Sequence, residues 1–400
     1  MTALADRYEA FLIDLDGVVY RGDEAVPGAA RAIDALRDRG RRVVFITNNS
    51  ARTPEGVAEK LASFGVAAEP GDVVSSAHAA APLVQKLVGV GASVFLVGEE
   101  GVRRALAEAG LEIVDGAIEK ADAVVVGWDR TVDFEKLRTA TVLVQRGARL
   151  VATNADASYP APGGEVWPGA GALLAVIETA TGIRAEVAGK PYPPLFEAAL
   201  ERAGTSSGVV VGDRIETDIA GAAGAGLDAV AVLSGASGPA DLLDHDDLPV
   251  DVVAALDGVL ADRPDVRPRD ATAADQDAVA GLVRAAGLQD PPGGSHVVVL
   301  GDAAATAAVR VDGGDAYFHS VAVAPEHRGL GVGTLSMAAV ARAARRSGAS
   351  AAYLLTEEAE GFFAALGFEA VARDMLPAWM KPLTATCAET AVAMRRSLRR

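Results

Sequence analysis

Residues 10–22 read AFLIDLDGVVYRG, and the way this stretch ends decides the fold. Phe11, Leu12 and Ile13 form an apolar run without polar alternation, the composition of a central parallel strand covered on both faces. Asp14 and Asp16 follow at once. In open α/β sheets the residues just past the carboxyl end of a strand open into the ligand crevice, so two acids are placed where chemistry is done. Outward from this stretch the β-type runs RVVFITN, SVFLVG, DAVVVGW, RLVATN, SGVVVGD and DAVAVL alternate with Ala-rich amphipathic segments. That alternation predicts an α/β protein built on parallel sheet. Two prolines and alternating charges between 262 and 270 mark a change of character, and a linker is expected over 258–267. Beyond it the chain reads as a helix, three strands ending in YFHSVAVAP, and a further helix after the glycine-rich EHRGLGVGT.

Composition narrows the function. A chain of 400 residues exceeds one ordinary core and suits two or three domains. Its formal charge of −17 disfavours nucleic acid and anionic membrane surfaces, whose affinity comes from clustered Lys and Arg. The first residues, MTALADRYEA, are neither a secretory nor a transit segment, and no uncharged apolar stretch has spanning length. The single cysteine, Cys387, permits no intrachain disulfide and no cysteine metal cluster, and the five histidines show no H-E-x-x-H pattern. A cytoplasmic enzyme is the expectation.

Three further strand ends carry polar residues. VVFITNNS closes on Thr47, Asn48, Asn49 and Ser50, hydroxyl and amide groups suited to phosphoryl oxygens near a helix start. EVAGKPYPP isolates Lys190 between a glycine and a proline. VVVGDRIETDIAGAAGAG places Asp213 directly after a strand and Asp218 five residues later. Each alone has a plainer reading. D-x-D-G is a fragment of a calcium loop, but it lacks the third acid and follows a strand rather than a helix; TNNS is a turn or helix cap; Lys190 is a solvated lysine; GAAGAG is close helix packing rather than a dinucleotide loop. The order and placement of all four sites are hard to obtain by chance.

Over residues 8 to 257 this set resembles the haloacid dehalogenase (HAD) superfamily of phosphotransferases. The resemblance implies that Asp14 attacks phosphorus to form an aspartyl-phosphate and that Asp16 protonates the leaving alkoxide and then activates water. It implies Mg²⁺ held by the carboxylates of Asp14 and Asp213 and the carbonyl of Asp16, with Asp218 orienting metal-bound water or Asp213. Thr47, Asn48 and the Asn49 amide would hold the phosphoryl group, and Lys190 would neutralise Asp14 and the equatorial charge. The roughly 140 residues between TNNS and GKPYPP exceed any connection. Their strand and helix signals resemble the α/β cap inserted in class IIA, the p-nitrophenylphosphatase-like group, and ATNADASYPAPGG, residues 152–164, resembles that group's T-N-x-D stretch and specificity loop. Tyr159 is then either a substrate-facing residue or an interfacial tyrosine between cap and core.

The last third resembles the GCN5-related N-acetyltransferase (GNAT) fold. Arg328, Gly331 and Gly333 match its R-x-x-G-x-G pyrophosphate loop, which implies acetyl-CoA as a cofactor. EGFFAALGF matches a later segment, with Phe363 where active members carry a tyrosine general acid. The expected organisation is an HAD core over 1–78 and 185–257, a cap over 79–184 and a GNAT-like domain over 268–400. The resemblance implies a small phosphomonoester as substrate, glycerol 3-phosphate ahead of 2-phosphoglycolate and pyridoxal phosphate, because fusion of a class IIA phosphatase to a GNAT-like domain resembles bacterial glycerol-3-phosphate phosphatases. An acetyltransferase with an HAD sensor is the rival reading. A homo-oligomer is compatible with the sequence.

Overall fold

The computed structural model describes residues 2–116, 118–160, 165–385 and 387–398. The chain divides into two bodies, one of residues 8–212 and 220–228, the other of residues 1–7, 213–219 and 229–400.

In the first body the strand Ala10–Asp14 is buried along its whole length. It pairs in parallel with Arg42–Thr47 on one side and Val209–Gly212 on the other, and Val73–Ser75 extends the sheet beyond Arg42–Thr47. A strand with two neighbours and helices packed on its sheet has no solvent face, which is why Phe11, Leu12 and Ile13 need no polar alternation. Helices Ala29–Asp38 and Pro193–Ala203 pack on these strands. The register sets Val211 opposite Ile13, so the two strands end at the same edge of the sheet, at Asp14 and at Gly212.

The same body holds a second parallel sheet of five strands, in the order Glu186–Val187, Arg149–Ala152, Ala123–Val126, Ser93–Val97, Glu112–Val114. Successive side chains point to opposite faces, and both faces are covered. Val94 and Leu96 pack with Val84, Val102 and Leu106, while Phe95 and Val97 pack with Leu143, Val144 and Ile177. A small antiparallel hairpin follows, in which Tyr159 on Ser158–Pro160 lies opposite Trp167 on Val166–Pro168. Residues 161–164 of the expected specificity loop fall outside the described residues.

In the second body the parallel strands Asp228–Val232 and Asp251–Val253 lead to a seven-stranded sheet. Its order is Pro268–Asp270, His296–Leu300, Ala305–Asp312, Asp315–Val323, Ala351–Thr356, Val392–Ser397, Glu369–Val371. The three strands legible in sequence are therefore three of the seven in a larger sheet. All pairs are antiparallel except Asp315–Val323 with Ala351–Thr356, which are registered only from Asp315↔Ala351 to Tyr317↔Tyr353 and part beyond. The long helix Val332–Arg346 packs on this sheet. Among the described residues no helix is long and apolar enough to cross a membrane.

GAAGAG is a packing device. A Cβ on Gly221 would lie 2.7 Å from the Phe196 ring and 2.9 Å from the Pro191 backbone, whereas one on Gly224 would meet nothing within 4 Å. Gly221→Ala is expected to destabilise the protein by about 1–3 kcal/mol, read as a lower denaturation midpoint at unchanged m-value. Gly224→Ala should instead stabilise by about 0.4–1 kcal/mol.

Candidate active site

Asp14 ends its strand buried, and Lys190 Nζ donates to its Oδ1 at 2.6 Å. Lys190 is 4% exposed. A buried ammonium requires a fixed partner, and Asn48 fixes it from both sides of its peptide: Asn48 Oδ1 accepts from the Lys190 N–H at 2.8 Å, and Asn48 Nδ2 donates to the Lys190 carbonyl at 3.0 Å. Gly189 makes this approach possible, since a Cβ there would lie 2.6 Å from both Asn48 Oδ1 and the Thr153 carbonyl. Asn48 Nδ2 also reaches Asp156 Oδ2 at 3.2 Å. The Asn48 side chain thus organises the lysine and the T-N-x-D segment. Thr47 is buried, and its Oγ1 accepts from the Asn49 N–H at 3.1 Å, while Asn49 Oδ1 accepts from Ala51 N at 3.0 Å. The strand end is a preformed turn.

Asp16 stands exposed where the chain turns through Gly17, which has φ 84° and donates to the Tyr20 carbonyl at 2.7 Å. Its charge reaches Tyr159 and side chains that the sequence reading did not single out. Burial first, then Asp16 and Asp14, hold the Tyr20 phenol far above its ordinary range. Burial and then Asp16 also raise Tyr159, against the lowering influence of Arg52 and Arg130. The Lys60 ammonium lies 3.8 Å above the Tyr20 ring, and burial lowers its pKa against the raising influence of Asp16. The Tyr159 ring stacks on Trp128 at 4.2 Å, and Trp128 Nε1 donates to the Pro168 carbonyl at 2.9 Å. Arg130 lies over Trp128 and is held by Glu99. The loop DASYPAP carries no cation of its own, but its surroundings do. Arg52 was legible as the basic residue two positions past TNNS; Trp128 carried no signal before the fold paired it with Tyr159.

Asp213 is buried, with Oδ2 accepting from Ala236 N at 2.6 Å and its carbonyl accepting from Ser237 N at 3.1 Å. Asp218 is fully buried in the π-helical turn Ile215–Ile219, and its Oδ2 accepts from Arg214 N at 3.0 Å. Asp14 in the first body and Asp213 and Asp218 in the second are buried carboxylates. Three buried carboxylates with no thiolate or imidazole in the group form a hard-oxygen set, which fits Mg²⁺ and similar cations.

At the GNAT-like loop, Gly331 caps helix Val332–Arg346 with φ 79°. Gly333 lies against Phe362 and Val323, and Arg328 Nε donates to the Val323 carbonyl at 3.3 Å. Phe363 is buried, edge-on to Phe362 and Phe368.

Residues 11–112 match the haloacid dehalogenase-like hydrolase model, residues 187–259 a second HAD-hydrolase-like model, and residues 260–368 the GNAT acetyltransferase family. Over 233 residues the chain is 41% identical to the acid sugar phosphatase of Staphylococcus aureus, a stretch that covers 58% of this chain and 88% of that protein. The chain belongs to the haloacid dehalogenase-like hydrolases, as a class IIA phosphoric monoester hydrolase with a C-terminal GNAT domain. Over nearly its whole length it is similar to the glycerol phosphate phosphatase of Mycobacterium tuberculosis solved with magnesium, at 31% identity and a TM-score of 0.71, covering 92% of this chain and 98% of that one. A thermostable p-nitrophenylphosphatase from Geobacillus stearothermophilus matches at 38% identity and a TM-score of 0.58, over 62% of this chain and 97% of that one.

Because Asn48 holds both polar atoms of the Lys190 peptide, Asn48→Asp sets a carboxylate against Asp156 and removes two donated bonds. Loss of the charge-assisted bond to Asp156 costs about 1.5–3 kcal/mol and loss of the neutral one to the Lys190 carbonyl about 0.5–1.5 kcal/mol, and kcat/KM for an aryl phosphate should fall at least roughly tenfold with an unchanged far-ultraviolet circular dichroism spectrum.

Proposed function

We propose that the protein is a Mg²⁺-dependent phosphomonoesterase acting through an aspartyl-phosphate on Asp14, with glycerol 3-phosphate as its preferred substrate. The observation that carries this reading is the buried contact of Lys190 Nζ with Asp14 Oδ1 at 2.6 Å, and the buried carboxylates Asp213 and Asp218 support it. A phosphoryl group brings negative charge toward a carboxylate nucleophile, and that approach needs fixed positive charge close by. Lys190 supplies one such charge. Asp14, Asp213 and the Asp16 carbonyl would hold Mg²⁺, with Asp218 beside them, and a bound Mg²⁺ would supply charge neutralisation at the phosphoryl oxygens.

The remaining chemistry belongs to the chain. Asp14 attacks phosphorus while Asp16, exposed at the strand end, gives its proton to the departing alkoxide; Asp16 then takes a proton from the water that cleaves the acyl phosphate. Thr47 and the backbone of Asn48 and Asn49 would face the phosphoryl oxygens. The Tyr159–Trp128 stack would close over the leaving group and exclude water. The GNAT domain brings acetyl-CoA into consideration, but the buried Phe363 has no hydroxyl with which to act as an acid.

The choice of substrate is supported by similarity across both domains to the M. tuberculosis glycerol phosphate phosphatase. Arg52 and Lys60 near Asp16 mean that the neutral loop DASYPAP does not by itself exclude a second anionic group. The panel therefore includes 2-phosphoglycolate, pyridoxal phosphate and a sugar phosphate.

Asp14→Asn is expected to abolish phosphate release. Asp16→Asn should lower kcat by about 10²–10⁴-fold, the usual worth of a general acid–base group, while Mg²⁺ binding is retained, and EDTA should silence the wild-type protein reversibly. Retained turnover in Asp14→Asn overturns the mechanism. In the panel ranked by kcat/KM, glycerol 3-phosphate should lead; a lead of more than roughly tenfold, about 1.4 kcal/mol, by another ester overturns the substrate assignment alone.

A further inference from the structure

The loop that receives Asp213 does not end at Ala236 and Ser237. Gly235 packs so closely on Asp213 that a Cβ would lie 2.0 Å from Oδ2, and Ser237 Oγ accepts from Ile215 N at 3.2 Å. The loop continues through Gly238 N, which donates to Asp241 Oδ2 at 2.8 Å, into the short 3₁₀ turn Asp241–Asp244, whose Leu242 and Leu243 are buried. This segment is irregular, and it is buried at Ser237, Leu242 and Leu243, where its carbonyls need donors that no strand or helix supplies.

Two arginines of the GNAT domain supply them. Arg345, in the last turn of helix Val332–Arg346, donates to the carbonyls of Leu243 and His245 and to Asp246 Oδ1 at 2.9 Å. Arg396, on strand Val392–Ser397, donates to the Ala240 carbonyl at 2.9 Å and contacts Asp244 Oδ2 at 2.8 Å, with its other nitrogen on the Leu366 carbonyl. Each is 8% exposed. From the same loop, His245 Nε2 lies 3.1 Å from Glu216 Oε1, on the turn that carries Asp218. The glycine motif serves the same docking: Arg263, paired at 2.7 Å with Asp251, donates to the Leu330 carbonyl, and a Cβ on Gly331 would lie 2.4 Å from the Val252 carbonyl.

We propose that Arg345 and Arg396 are positioning residues for the phosphatase metal centre, fixing loop 235–246 so that Asp213 and Asp218 are presented in a metal-binding arrangement. The GNAT domain is on this account a scaffold for the hydrolase site. The inference rests on the assignment of Asp213 as a metal ligand. A guanidinium suits the task because its rigid fork of donors spans several carbonyls and a carboxylate at once.

The test uses full-length Arg345→Met, Arg396→Met and the milder Arg345→Lys, with Arg103→Met, an exposed cap residue paired to Asp115, as control. Mg²⁺ affinity is measured by calorimetry on substrate-free protein and by the Mg²⁺-dependent rise in melting temperature, alongside Mg²⁺ saturation of phosphate release. In the Met variants the Mg²⁺ dissociation constant should rise about tenfold or more, with a smaller rise in Arg345→Lys. At saturating Mg²⁺ the KM for the ester should stay within about threefold of wild type. Folded variants with wild-type Mg²⁺ affinity overturn the proposal, even if their melting temperatures are lower, since a purely structural role would move only the latter. If Asp213→Asn also binds Mg²⁺ as the wild type does, the metal assignment itself is overturned.

Discussion

The Lys190–Asp14 ion pair is the contact on which the rest of the first body depends. Both partners are buried, and removing one member of such a pair leaves an uncompensated charge, at a general cost on the order of 3–5 kcal/mol. The surrounding structure accordingly holds it from several directions. The central strand presents Asp14, Asn48 grips the lysine peptide at its N–H and carbonyl, and Gly189 allows that grip. Asn48 also reaches Asp156, so one amide links two strand ends of the core to the T-N-x-D segment. Pairing energy here is converted into geometry.

Around Asp16 the same economy of contacts has a different character. The acid is exposed, and its neighbours are rings and cations: Tyr20 under Lys60, Tyr159 on Trp128, with Arg52 and Arg130 influencing Tyr159. Aromatic faces give shape with little conformational entropy to lose. On the proposed mechanism, a fixed Asp14 and the stacked Tyr159–Trp128 rings suit a reaction in which a phosphoryl group must be held still while a leaving group departs.

The carboxylates Asp213 and Asp218 depend on a third kind of support. The loop packed against Asp213 is irregular, and buried arginines of a domain whose fold is otherwise associated with acetyl transfer donate to its continuation at Ala240, Leu243 and His245. The loop at Gly331 is packed against the Val252 backbone, and Phe363 lies among other phenylalanines. The features that resemble a cofactor cradle are engaged in intramolecular packing.

The strand Ala10–Asp14, the two acids at its end, and the polar ends at Thr47, Lys190 and Asp213 were legible in the chain itself. Strand burial and strand ends are local patterns, written in consecutive residues as apolar runs that stop. That the stretch between TNNS and GKPYPP holds structure of its own was legible for a similar reason, as a length no connection needs. The Asn48 grip on Lys190 was not, because it joins residues 142 positions apart through a backbone peptide that has no sequence signature. Trp128 gained meaning only when a hairpin brought Tyr159 onto its face. Arg345 and Arg396 carry no signal in the sequence, since the carbonyls they satisfy are common to every residue type. Sequence by itself determined which groups stand at the strand ends; tertiary structure decided which of them touch and what holds them there, because backbone acceptors and long-range partners exist only once the chain has folded.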